Sequence, residues 1–112
     1  MIKRISLLTR KDSVSREQFL THWRDIHGPL AVAVPGIRRY IQSTVVEQPT
    51  RADIPSDDTR VDGIAELWYD DRATMEASIK TPEAQALYAD GALFIGQIKS
   101  FVVDESVIIP QD

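Results

Sequence analysis

Cysteine is absent from the chain. Its absence excludes disulfides, thiolate metal sites and cysteine nucleophiles together, and it fits a reducing compartment. Long apolar runs are missing as well. Nothing approaches the roughly 18 residues that a membrane-spanning helix needs. The stretch from Met1 to Leu8 has neither a long apolar core nor a small-residue cleavage site. The expectation is therefore a cytoplasmic protein without membrane attachment. Positive charge is in the minority, with 13 Lys and Arg against 17 Asp and Glu and a net charge of −4. Scattered cations on an acidic surface do not make the basic footprint that nucleic acid requires. No nucleotide-binding loop, catalytic triad or metal-ligand spacing appears, so no metal and no cofactor is expected.

What is present is an ordinary globular composition, 43% hydrophobic and 27% charged over 112 residues. That suffices for one core, and residues 1–112 are expected to form one domain. Residues 2–9 alternate as a first strand, and Lys11-Asp12-Ser13 breaks it. Ser15 with Gln18 forms a capping-box pattern, after which Phe19, Trp23, Ile26 and Leu30 recur at about 100° per residue, the period of a helix. Gly28-Pro29 predicts the end of that helix. Residues 37–47 and 60–69 read as strands, separated by a polar loop over 48–59. Asp70-Asp71 caps a short helix reaching about Ile79. Thr81-Pro82-Glu83 starts another, which Gly91 is expected to end. Phe94 to Val107 supplies the last strand, with a bend at Gly96.

The order strand–helix–strand–strand–helix–strand predicts an α+β, ferredoxin-like βαββαβ subunit with a four-stranded antiparallel sheet. Adjacent apolar pairs such as Leu7-Leu8, Val45-Val46, Leu67-Trp68 and Val102-Val103 put apolar side chains on both sheet faces. The helices cover one face. A second copy packed sheet against sheet is the expected cover for the other, giving a homodimer.

Chemistry-bearing residues are few. His22 and His27 both lie on the first helix, and on a regular wheel they diverge by about 140°, flanking the apolar stripe from opposite sides. A histidine at a helix end ordinarily bonds a nearby carbonyl. His27, beside Trp23 and before the Gly28-Pro29 break, is equally a candidate proton carrier, since imidazole titrates near neutrality. Tyr40 offers a phenol from the second strand, although a half-buried packing role is the commoner one for such a residue. Glu66 is a carboxylate in an apolar strand, expected to pair with Arg39 or to be exposed.

The motif Phe19-x-x-His22-Trp23-x-x-x-His27-Gly28-Pro29-Leu30-Ala31, followed by Val34-Pro35-Gly36 and Tyr40, resembles the EthD family of the dimeric α+β-barrel superfamily. The similarity extends through Phe94-Ile95-Gly96-Gln97-Ile98-Lys99 and Phe101-Val102. It implies a sheet-to-sheet homodimer with a pocket for a small organic ligand between each sheet and its own helices. By the same resemblance, to a lactone-rearranging member, His27 and Tyr40 fall on catalytic positions. Trp23, His22, Leu67 and Phe94 are the candidate substrate contacts. Leu67 stands where that member has a cysteine, a departure that removes one polar group from the pocket. Three functions follow as expectations: cofactor-independent acid–base chemistry on a lactone, polyketide or aromatic catabolite; cofactor-free oxygenation; or a non-catalytic accessory role.

Overall fold

A computed structural model describes residues 1–111. Four strands, β1 (Ile2–Arg10), β2 (Arg39–Thr44), β3 (Gly63–Tyr69) and β4 (Ile95–Val103), form one sheet in the order β2-β3-β1-β4. Every neighbouring pair is antiparallel. This is the ferredoxin-like arrangement, with the first and third strands at the centre. The helices α1 (Arg16–His22), α2 (Gly28–Val32), α3 (Arg72–Ser78) and α4 (Pro82–Phe94) occupy the connections between β1 and β2 and between β3 and β4.

Local chemistry fixes the helix starts. The Ser15 hydroxyl accepts from the Gln18 N–H at 3.1 Å, and the Gln18 side chain accepts from the Ser15 N–H at 2.9 Å, closing the capping box. Asp71 caps α3 through the Thr74 N–H, and Thr81 caps α4 through the Ala84 N–H with Pro82 in the first turn.

The predicted helix ends need correction. Gly28-Pro29 does not stop the first helix. A π-helical turn, Trp23–His27, joins α1 to α2, and the Gly28 N–H donates to the Trp23 carbonyl five residues back. A proline inside a regular helix clashes with the carbonyl four residues before it; the widened turn gives the Pro29 ring room. The same insertion shifts the apolar stripe, so Ile26, predicted inward, is 52% exposed. Gly91 likewise does not end α4, which runs on to Phe94. Phe94 is thus the last residue of a helix rather than the first of a strand. The middle strands are shorter than predicted, and Val45-Val46 falls outside β2. The pairing of β4 with β1 slips at Thr9/Arg10, leaving Gly96 as the extra residue.

Register assigns each strand residue to a face, because directly opposed residues point the same way. Ser6, Leu8, Gly63, Ala65 and Tyr69 face the helices and are buried. The main core cluster joins Leu8 and Ala65 of the sheet to Phe19, Trp23 and Phe94 of the helices. A second cluster, Ala31, Val34, Ala84 and Leu87, ties α2 to α4. The opposite face carries Ile5, Leu7, Ile41, Ile64, Trp68, Phe101 and Val103, and no helix covers it.

Candidate active site

A cavity of about 470 Å³ lies between the helix-covered sheet face and the helices. Its wall is largely apolar. The sheet contributes Leu8, Tyr40, Ala65 and Leu67, and the helical side contributes Trp23, His27, Leu87 and Gly91. Of the six candidate site residues, His27, Tyr40, Trp23 and Leu67 line it together. His22 and Phe94 do not. Phe94 stands behind the wall as a partition, its ring 4.5 Å from that of His22 and 5.2 Å edge-on from that of His27.

Trp23 is seated by a missing side chain. A Cβ at position 63 would lie 2.5 Å from the Trp23 ring, so only glycine lets the indole lie flat on β3. Its indole N–H is buried and donates to no acceptor among the described residues. The carbonyl of Trp23 accepts from the Gln42 amide at 2.8 Å, and the same amide donates to the Tyr40 oxygen at 2.9 Å. With its oxygen engaged as an acceptor, the Tyr40 hydroxyl proton is left for a ligand. Burial pushes the phenol above its usual value, while the hydrogen bond from Gln42 and the nearby Trp23 side chain act in the other direction. At neutral pH Tyr40 is therefore a proton donor.

The π-turn decides what the histidines do. On a regular helix they would diverge; with one extra residue in the turn, positions five apart come into line. His22 Nε2 and His27 Nδ1 both meet the carboxylate of Asp90, at 2.9 and 2.8 Å, each on its own oxygen. The expected placement on opposite sides of the stripe is corrected accordingly. An ionised carboxylate only accepts, so each histidine donates to it. For His27 this fixes the proton on Nδ1 and leaves the Nε2 lone pair as the ring atom available to a ligand. Burial lowers the His27 pKa below the ordinary 6.5, against the hydrogen bond and charge of Asp90, which raise it; the charge of His22 lowers it slightly further. His27 is thus a neutral, oriented base at pH 7. Its neighbour on α4 is Gly91, where a Cβ would stand 3.5 Å from the His27 Cε1, and not the Gly28-Pro29 break on its own helix.

Asp90 did not stand out in the sequence, although a signal exists. It sits three residues after Leu87 and four before Phe94, inside the buried stripe of α4. An acid at such a position requires a partner. Glu66, expected to pair with Arg39 or lie exposed, bonds Lys3 instead at 3.3 Å on the open face. The 48–59 loop contributes nothing to the cavity wall. Among the described residues no group of three or more His, Cys, Asp or Glu is arranged to hold a metal ion. Among the described residues no helix is long and apolar enough to cross a membrane.

The EthD domain model matches residues 11–98. The chain belongs to the EthD family. A protein of Pseudomonas reinekei, 4-carboxymethyl-4-methylbutenolide mutase, is 32% identical over 108 residues, covering 96% of this chain and all of that one. Among solved structures, an EthD family protein of Bacillus halodurans superposes with a TM-score of 0.79 at 23% identity, covering 95% of this chain and 99% of its own. HapK of Hahella chejuensis gives 0.74 at 12% identity, covering 100% and 99%. The π-turn, Trp23, His27 and Tyr40 all fall within the stretch matched to the family. Asp90 does too, so the carboxylate that engages both histidines belongs to the family domain rather than to an appended segment.

Proposed function

We propose that this EthD-family protein is a cofactor-independent isomerase of small unsaturated lactones. The observation that carries the reading is the His27–Asp90 pair at the wall of an apolar cavity that Tyr40 also lines: a neutral imidazole, held in one tautomer, sharing the cavity with a phenol donor. His27 Nε2 removes a proton from carbon adjacent to the lactone carbonyl. The electron pair moves onto the carbonyl oxygen, which accepts a hydrogen bond from the Tyr40 hydroxyl. The imidazolium, stabilised by Asp90, returns the proton to a different carbon of the same molecule. Nothing else is consumed, and substrate and product are isomers. The apolar wall keeps water from quenching the intermediate.

Leu67 does not take part in proton transfer, since an aliphatic side chain neither donates nor accepts. It shapes the pocket, and the reaction relies on His27 alone for the proton. The lactone mutase activity of the 32%-identical relative supports the substrate class. The functional unit is a homodimer joined through the open, apolar sheet face.

The test is turnover of a panel of substituted butenolides, followed by NMR for rearranged isomers. His27→Ala is expected to lower kcat by about 10² to 10⁴-fold, the usual contribution of a positioned acid or base, with a smaller change in KM. Rearrangement that persists undiminished in His27→Ala would remove this mechanism.

A further inference from the structure

The cavity contains a charge that the proton-transfer scheme does not use. Arg4 lies on the central strand β1, on the helix-covered face, opposite Leu67 on one side and Val102 on the other. It lines the cavity. Among the described residues its guanidinium makes no ion pair, no side-chain hydrogen bond and no stacking contact with an aromatic ring. Lys3, its neighbour on the opposite face, pairs with Glu66 and Glu105, and Arg10 pairs with Asp62. Among the described residues no aspartate or glutamate lines the cavity. The pocket thus holds one fixed positive charge among apolar walls and hydroxyl groups.

An arginine without a partner at an apolar wall is poorly compensated, and a ligand anion is what compensates it. We propose that Arg4 is the anion subsite of this cavity, and that the natural ligand is a small apolar molecule carrying a single carboxylate. The planar guanidinium fork matches the two oxygens of a carboxylate in parallel hydrogen bonds. One negative charge balances the site; a dianion such as a phosphate monoester would leave a surplus charge among apolar walls. The hydroxyls of Ser6 and Ser100, 2.8 Å apart and one residue pair along the same face, extend the polar edge beside Arg4. Anchoring the carboxylate at Arg4 fixes which end of the molecule reaches His27 and Tyr40. The inference rests on the reading of this cavity as the substrate site, and it adds the charge of that substrate.

The test is calorimetric binding of phenylacetate, benzoate and furan-2-acetate, each against its primary amide, and of benzylphosphonate. Proteins compared are the wild type, Arg4→Gln, Arg4→Lys and Arg24→Gln, which removes the same charge from an exposed surface position. Circular dichroism confirms that each variant is folded. The wild type is expected to bind at least one acid about tenfold or more tightly than its amide, the effect of one charge-assisted pair in a sheltered site. Arg4→Gln loses that preference while still binding the amide, Arg4→Lys keeps part of it, and Arg24→Gln keeps all of it. Equal binding of acid and amide by the wild type, binding of neither, or a preference surviving in Arg4→Gln would overturn the subsite. Tighter binding of benzylphosphonate than of any carboxylate would overturn the assignment to a monocarboxylate. Turnover separates this inference from the one beneath it. Arg4-dependent acid binding without rearrangement of any lactone sinks the isomerase and keeps the subsite. Rearrangement of a carboxylate-bearing lactone by Arg4→Gln with wild-type kcat and KM does the reverse.

Discussion

The two faces of one sheet are built from the same four strands and serve different ends. On the covered face, register brings together Arg4, Leu8, Tyr40, Gly63 and Leu67, and the helices close over them to leave a chemically furnished cavity. On the open face the alternate residues are apolar or paired among themselves. Trp68 is flanked by the cations of Lys3 and Arg39, 4.7 and 5.0 Å from its ring, and its indole N–H donates to Glu105 at 2.9 Å. Phe101 remains 43% exposed beside Ile5. The period of two along a strand therefore separates cavity-lining residues from open-face residues one by one. A substitution at one position acts on the cavity, and one at the next acts on the open face through which the proposed homodimer forms.

The largest effect comes from disabling the covered face. His27→Ala should cost the 10² to 10⁴-fold in kcat given above and leave the dimer intact by sedimentation. Next is the open face. Phe101→Asp places a charge on the face proposed to carry the second copy, and should weaken dimerisation by about a hundredfold or more, the scale of an unpaired buried charge. Sedimentation equilibrium reads the dimer constant, and an unchanged constant would mean that the copies meet elsewhere. Asp90→Asn tests orientation without removing the base. It should lower kcat by about tenfold to a hundredfold, the range for losing a group that holds a histidine in place. The acid limb of kcat/KM should also move to lower pH, because the interactions that raise the His27 pKa are gone. A purely structural role for Asp90 would change stability and leave that limb where it was.

Smaller effects concern packing and protonation. Gly63→Ala drives a methyl into the Trp23 ring and should destabilise the fold by about 1–3 kcal/mol in denaturant titrations. The pH dependence of stability follows from the lowered His27 pKa. Between about 6.5 and the lower folded-state value, the unfolded chain binds a proton that the folded chain does not. Stability contributed by neutral His27 is full above 6.5 and is lost as pH falls through the folded-state value. His27→Ala should flatten that slope. Asp62, held below the usual carboxylate range by the Arg10 backbone N–H and guanidinium despite its burial, acts only at lower pH.

Much of this was legible in the sequence. Strand and helix order followed from periodicity, and the caps at Ser15, Asp71 and Thr81 were visible because their chemistry is local. What escaped was non-local or irregular. A regular wheel has no place for a π-turn, so it put His22 and His27 apart and Ile26 inside. Gly28 and Gly91 were read as helix ends by composition, whereas both sit within continuing helical backbone, and Gly91 is there to face His27. His27 and Tyr40 came from the family motif. Asp90 could have been found from the stripe of α4, but the partner that explains it lies 63 residues away in the chain. Arg4 carries no signal in the sequence, and only register places it on the cavity face.

The most direct test of the account is proton exchange in deuterated water. Butenolides that bind are incubated with the wild type, His27→Ala and Asp90→Asn, and deuterium entering the carbon adjacent to the carbonyl is followed by NMR. A neutral, oriented His27 predicts enzyme-dependent incorporation, abolished in His27→Ala and slowed in Asp90→Asn. Incorporation at the same rate in all three proteins, or binding without any exchange in the wild type, would contradict the assignment of His27 as the proton carrier.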